Sequence, residues 1–346
     1  MLSESTSATS YSQSSVSSTE ISVSEETDYE EIPVKRRKQR TFRPRINFDD
    51  LNFRQKFRIS QETAEAVLLS IGQFLLHETG RNHALSPKEQ FLLFLRFLGT
   101  GSQYHVVRDA HGPSTATVSR VIRRVSAVII EVLYKDSIKF PEPCSAEAYS
   151  VAKEFHSLRG FPSVAGCVDG TLLQIRKPHE NEEQFVDRHG KHSLNALVVA
   201  GPQLQFYYVD CNWPGSVNDV RVLKKSRFFH QMEKRNFRTF PNCVFLMDSI
   251  YQSLSWAIPP ILKDDLNEEE TTFNNSHKST RVIVENAIGA LKSQFPLLLS
   301  TMKVQPVLAA DLFKAAVVLR NLSIEKPVLD NHEIFTTRQV GYYFVT

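Results

Sequence analysis

Two hydrophobic periodicities divide the chain. From Phe53 to about Tyr134 apolar residues recur at helical spacing, and from about Phe161 onward they run in the short continuous or alternating stretches of strands. In the first part, ISQETAEAVLLSIGQFLLHE predicts a helix capped by Ser60, with Thr63 where a full capping box would have Glu. LSPKEQFLLFLRFLGTG predicts a second, with Ser86 as cap, Pro87 in the first turn, Glu89 at N3, and Gly99 and Gly101 at its end. YHVVRDAHG and STATVSRVIRRVSAVIIEVLYKD follow, joined by a turn at Gly112 and Pro113, the pattern of a helix-turn-helix. In the longer of these two, Val118, Val121, Ile122, Val125 and Ile129 form an inner stripe, while Ser114, Thr115, Thr117, Ser119, Arg120, Arg123 and Arg124 occupy its start and outer face. Hydroxyls followed by arginines suit contact with phosphates and the major groove, which makes Arg120, Arg123 and Arg124 candidate DNA-binding residues. An ordinary amphipathic helix with solvated arginines has the same pattern.

The later part reads β-β-β-α-β-α. GCVDGTLLQI, SLNALVVAG and LQFYYVDCNWPG are strand-like, VRVLKKSRFFHQMEKR is helical, CVFLMD is strand-like and STRVIVENAIGALKSQF is helical. This predicts an α/β domain over 160–325, preceded by an all-α region over 53–140. Residues 1–50 form a Ser-rich acidic tail too poor in apolar side chains to fold, with the basic segment KRRKQRTFRPR at 35–45, and 326–346 form a C-terminal extension. The chain of 346 residues is 41% hydrophobic, carries a net charge of +3 and has no run approaching a membrane span, so a soluble protein with no membrane partner is expected. A basic cluster beside a disordered tail suits a nuclear import signal or a phosphate-contacting arm, and a nuclear location, with or without a cytoplasmic pool, is expected. Cys144, Cys167, Cys211 and Cys243 lack C-x-x-C spacing and no apolar h-region follows Met1. Buried thiols in a reducing compartment are therefore expected, without disulfides, a zinc knuckle or a secretory route.

Three carboxylates stand where the pattern is otherwise apolar: Asp169 inside the first strand-like run, Asp248 at the end of CVFLMD, and Glu285 inside the last helix. A charge among Val, Leu and Phe costs free energy unless it is paired or binds a cation. A pair of divalent cations held between acidic side chains would account for all three, stabilising the attacking and leaving oxygens of a phosphodiester displacement. The element order matches that of a ribonuclease H-like domain, in which the first and fourth strands lie side by side. Asp169 and Asp248 are then expected at one sheet edge, with Glu285 brought to it by a helix whose core stripe is Val284, Ile288, Leu291 and Phe295. Lys292, two turns beyond Glu285 on the same face, is a candidate phosphate contact. Asp219 follows a Pro-Gly turn and either caps the next helix or lines the site, since Asn218 or Ser216 would cap equally well. His179, His189 and His192 match no zinc spacing, whereas Arg188, Lys191 and His192 suit phosphate contact.

Taken in order, GCVDGTLLQI, FVDRHGKHSLNALVV, NWPGSVNDVRVLKKS, MDSIYQSLSWAIPP and RVIVENAIGALKSQFPLL resemble the DDE superfamily endonucleases of PIF/Harbinger transposons, and in particular the Harbinger transposase-derived nucleases. LSPKEQFLLFLRFLGTGSQYHVVRDAHGPSTATVSRVI resembles the helical region preceding that catalytic domain, so the similarity spans about Phe53 to Leu322. The resemblance implies a metal-binding set of Asp169, Asp219, Asp248 and Glu285, of which Asp169, Asp248 and Glu285 are catalytic, with Mg²⁺ or Mn²⁺ as cofactor and duplex DNA as substrate. It further implies a Myb-like DNA-binding partner protein and leaves room for a homodimer. The family commonly reads G-D-S-G-Y-P around the second catalytic Asp, where this chain has Met247, Ile250 and Gln252, and Phe185 stands where Tyr is usual. Loss of the two glycines stiffens that turn, which bears on transposition more than on metal binding. The expected function is a divalent-metal-dependent DNA endonuclease, transposon-encoded or domesticated, working by a two-metal mechanism. The alternative is a domesticated, catalytically weak DNA-binding or scaffold protein that retains the fold. A ribonuclease H-like RNA enzyme or exonuclease shares the metal logic and leaves the helical region unexplained.

Overall fold

Side-chain caps set the helix ends in the computed structural model, which describes residues 50–77, 84–101 and 103–324. The predicted tail up to residue 49, with its basic segment at 35–45, and the extension at 326–346 lie outside the described residues. After α1 (Asp50–Phe57), the Ser60 hydroxyl accepts from Thr63 N to start α2 (Gln61–Ile71). Ser86 and Glu89 close a reciprocal capping box on α3 (Pro87–Thr100), which runs through Gly99 and stops at Gly101, in the left-handed conformation at φ 62°. α4 (Tyr104–His111) ends at Gly112, φ 88°, and Ser114 caps the 23-residue α5 (Thr115–Ser137). α6 (Ala146–Arg159), which the sequence reading did not single out, is capped by Ser145 and closed by Gly160.

A five-stranded mixed sheet follows, in the order β3-β2-β1-β4-β5. β1 (Val164–Gln174) pairs antiparallel with β2 (Ser193–Ala200), and β2 antiparallel with β3 (Phe206–Pro214). On its other side β1 runs parallel to the short β4 (Val244–Leu246), which runs parallel to β5 (Ala257–Ile258). Buried on both faces, β2 is apolar apart from Ser193 and Asn195. The predicted helix between β3 and β4 is broken in two. Ser226 ends α7 (Asp219–Lys225), and its hydroxyl accepts from Phe229 N to start α8 (Arg227–Phe229), which continues into a π-helical turn at His230–Lys234.

Two long helices cover the sheet. α9 (Glu268–Gln294) buries Ile283, Val284, Ala287, Ile288 and Leu291 against β1, and α10 (Pro306–Ile324) is buried along most of its length between α5 and β3. One apolar cluster therefore runs from Phe53 in α1 through α3 and α5 to Leu319 in α10, so the helical region and the sheet share a core. The edge strand β3 is closed by a side chain: buried Asn321 accepts from Phe206 N at 2.9 Å and donates to Phe206 O at 2.8 Å, as a neighbouring strand would. Cys167, Cys211 and Cys243 are buried free thiols and Cys144 is exposed. Among the described residues no helix is long and apolar enough to cross a membrane.

Candidate active site

Register brings the first two acids level. The parallel pairing of β1 with β4 aligns Cys167 with Leu246, and Asp169 and Asp248 each lie two residues further along. Asp169 Oδ1 accepts from Gly170 N at 2.9 Å, and Asp248 Oδ1 accepts from Ser249 N at 2.7 Å. Asp219 joins them because the capping is done by its neighbour: Asn218 accepts from Arg221 N, which frees the first carboxylate of α7 to face the sheet. Asn195 on β2 donates from Nδ2 to Val217 O at 2.9 Å and to Asp219 Oδ1 at 2.6 Å. Gly170 leaves room beneath that carboxylate, since a Cβ there would stand 2.9 Å from Asp219 Cγ and push the side chain aside.

Glu285 reaches the same neighbourhood through Arg281, one turn earlier on α9. The guanidinium donates from Nη1 to Asp169 Oδ2 at 3.4 Å and from Nη2 to Glu285 Oε1, so it bridges the two carboxylates. Burial pushes the Asp169 carboxyl up to about 6, against the opposing pull of Arg281 and the Gly170 N–H, and Glu285 and Asp248 add to the rise. The Tyr251 hydroxyl is held above its ordinary range by burial first and then by Asp219, Asp169 and Asp248, and it has no hydrogen-bond partner among the described residues. Asn195 Oδ1 is likewise buried without one. All four acids thus act on one small region. Among the described residues, however, no three His, Cys, Asp or Glu side chains are already gathered at metal-holding geometry, and a guanidinium stands between two of the acids.

Lys292 points along the same seam, but its ammonium donates to Thr171 Oγ1 at 2.8 Å and Leu172 O at 3.2 Å, and burial lowers its pKa. The structure engages it in holding α9 on β1. Arg124, on α5, donates to Phe74 O and Leu76 O and so closes the turn after α2, whereas Arg120 and Arg123 are exposed. In the loop before β2, His192 bonds Glu182 at 2.9 Å, and Asp187 organises the turn by accepting from His189 N, Lys191 N and the Ser193 hydroxyl. Arg281, Asn195 and Tyr251 were not singled out from sequence. Arg281 had one usable signal, its i−4 spacing from Glu285.

A family profile described as DDE superfamily endonuclease matches residues 168–321, which contain all four acids. A human protein named "Putative nuclease HARBI1" is 31% identical over 258 residues, covering 74% of this chain and 72% of its own length. Its Xenopus laevis namesake is 26% identical over 262 residues, covering 74% and 73%. The Arabidopsis thaliana "Protein ALP1-like" is 23% identical over 271 residues, covering 73% of this chain and 66% of its own. No solved structure matches the chain. The chain belongs to the DDE superfamily endonucleases, among the Harbinger transposase-derived nucleases.

Proposed function

We propose that the chain is a divalent-cation-dependent DNA endonuclease in which Asp169, Asp248 and Glu285 are catalytic and Asp219 is a fourth cation ligand. The observation carrying this reading is the bridging of Asp169 and Glu285 by one positive group, with Asp248 at matched register on the neighbouring strand. The sheet order, with β1 central, β2 and β3 antiparallel and β4 parallel, supports a ribonuclease H-like domain. The donor set fits the implied cation in chemistry: four carboxylates supply only hard oxygen ligands, as Mg²⁺ or Mn²⁺ require, and Arg281 holds the place of positive charge between two of them. When bound, such cations activate water and neutralise charge on the phosphodiester. The chain's own residues do the rest. Asn195 orients Asp219, Lys292 fixes β1 against α9 beside the site, and Arg281 must give up its bridge for the carboxylates to take a cation.

A second reading, a domesticated DNA-binding or scaffold protein, draws on the Arg281 bridge itself, which neutralises charge that a nuclease site would leave for metal. The two are separated by nicking of a labelled duplex with Mg²⁺ or Mn²⁺, comparing the native chain with Asp169→Ala and Glu285→Ala. Metal-dependent nicking that drops at least about a hundredfold in both variants, with duplex binding retained, is the expected result. Equal behaviour of all three favours the scaffold. The exposed arginines of α5, the duplex substrate, a Myb-like partner and a nuclear location through the segment at 35–45 belong to the same reading. Imaging of a fluorescent fusion with Lys35, Arg36, Arg37 and Lys38 neutralised tests the location, and nuclear retention of that variant removes the claim.

A further inference from the structure

A second positively charged place lies at the far end of the β1–α9 seam. Arg123 from α5, Arg176 and Lys177 just beyond β1, and Lys303 before α10 line one cleft of about 150 Å³, walled by Tyr104 and Val304. Among the described residues no carboxylate lines it. Lys177 is paired outside it with Glu182 at 2.5 Å, while Arg123, Arg176 and Lys303 have no acidic partner among the described residues.

Solvated surface charges would ordinarily drift apart. Here the backbone prevents it: Met302 N donates to Gln174 O and Arg176 N to Met302 O, each at 2.9 Å, and an isolated parallel bridge pairs Ile175 with Met302. Arg176 and Lys303 therefore leave their strands side by side, and like charges held as neighbours destabilise a fold unless an anion joins them. Arg123 comes from a segment unrelated in sequence, on a helix fixed by the core, and the Tyr104 ring in the wall packs on Phe97 with ring centroids 5.4 Å apart. Three rigid elements thus present cations to one gap of phosphate size.

We infer that this cleft seats a phosphodiester group of the duplex, a backbone anchor distinct from the acidic site. The inference rests on the reading of the chain as acting on DNA. From Asp169 to Arg176 is seven residues along nearly straight chain, or about 23 Å. At about 3.4 Å per base pair, the anchored phosphate lies about seven base pairs from the bond facing the acids. Cys167 lies against Thr280, Thr171 against Lys292, and Gln174 against Met302, so β1, α9 and the loop after it lead in one direction from the acids to the cleft.

The test uses the full chain in EDTA, with binding to a labelled duplex of about 30 base pairs followed across salt concentrations. Arg176→Ala combined with Lys303→Ala should bind about tenfold more weakly at low salt, with the slope of log Kd against log salt reduced by about one contact. Both side chains are exposed, so the double variant should melt no lower than the native chain, and Lys303→Arg alone should keep the native slope. An unchanged slope in the double variant overturns the anchor, as does failure of the native chain to bind duplex. If inorganic phosphate raises the melting temperature of the native chain but not of the variant while the slope stays the same, the cleft takes a free anion and the DNA assignment falls. Failure of the nuclease reading looks different: metal-dependent nicking is absent while the slope still changes.

Discussion

Asp169 is held in its folded place at an energetic disadvantage. Its carboxyl is pushed up to about 6 by burial even with Arg281 beside it, so between about pH 4 and 6 the folded chain binds a proton that the unfolded chain has released. Stability from this group is therefore present at low pH and lost as pH rises through that window. Asp169→Asn should stabilise the cation-free protein by about 1–3 kcal/mol above pH 6 and change little below about pH 4. Urea unfolding at both pH values checks this, and a less stable Asn variant at neutral pH would mean that the Arg281 pairing outweighs burial. The acids were legible in sequence because carboxylates are rare in apolar strands and helix stripes. Their attendants were not. Arg281 reads as an ordinary helix arginine, Tyr251 as a core aromatic, and Asn195 as a polar interruption in β2, since each gains its meaning from a partner at least 24 residues away or from burial. Lys292 lies two turns beyond Glu285, and sequence spacing gives no sign that Thr171 and Leu172 engage it.

At the scale of elements, caps and turns carried most of the readable signal, as at Ser60, Ser86, Gly112 and Ser114. α10 escaped because it is apolar nearly all round, so it shows no stripe, and β5 because two residues make no pattern. The break at Ser226 escaped for a different reason: one hydroxyl both ends α7 and caps α8, an alternative to continuous helix that periodicity alone cannot see. α10 also delivers Asn321 to the sheet edge, where it satisfies Phe206 N, Phe206 O and Ser137 O. Truncation by Asn321→Ala leaves buried backbone groups unpaired at about 1–3 kcal/mol each, so a loss of at least about 3 kcal/mol is expected. Hydrogen exchange should accelerate first at Phe206. A variant within about 1 kcal/mol of the native chain would show that water replaces the amide.

Across the whole molecule, the shared core makes the helical region part of the nuclease fold rather than an appendage. α5 and α10 bury each other, and α10 in turn covers β3. A chain beginning at Ser145 would expose the α5-facing side of α10, including residues now fully buried, and is expected to aggregate, whereas the full chain should unfold in one cooperative transition by circular dichroism and calorimetry. A soluble, cooperatively melting short chain would refute that. Charge has a similar reach. On the proposed reading, nucleic acid approaching the four carboxylates meets a repulsive field, strongest beside them. The guanidinium of Arg281, set between Asp169 and Glu285, softens that field. On the proposed metal-dependent reading, loading requires that arginine to be displaced, so the ease of that exchange sets how much cation the protein needs before it acts.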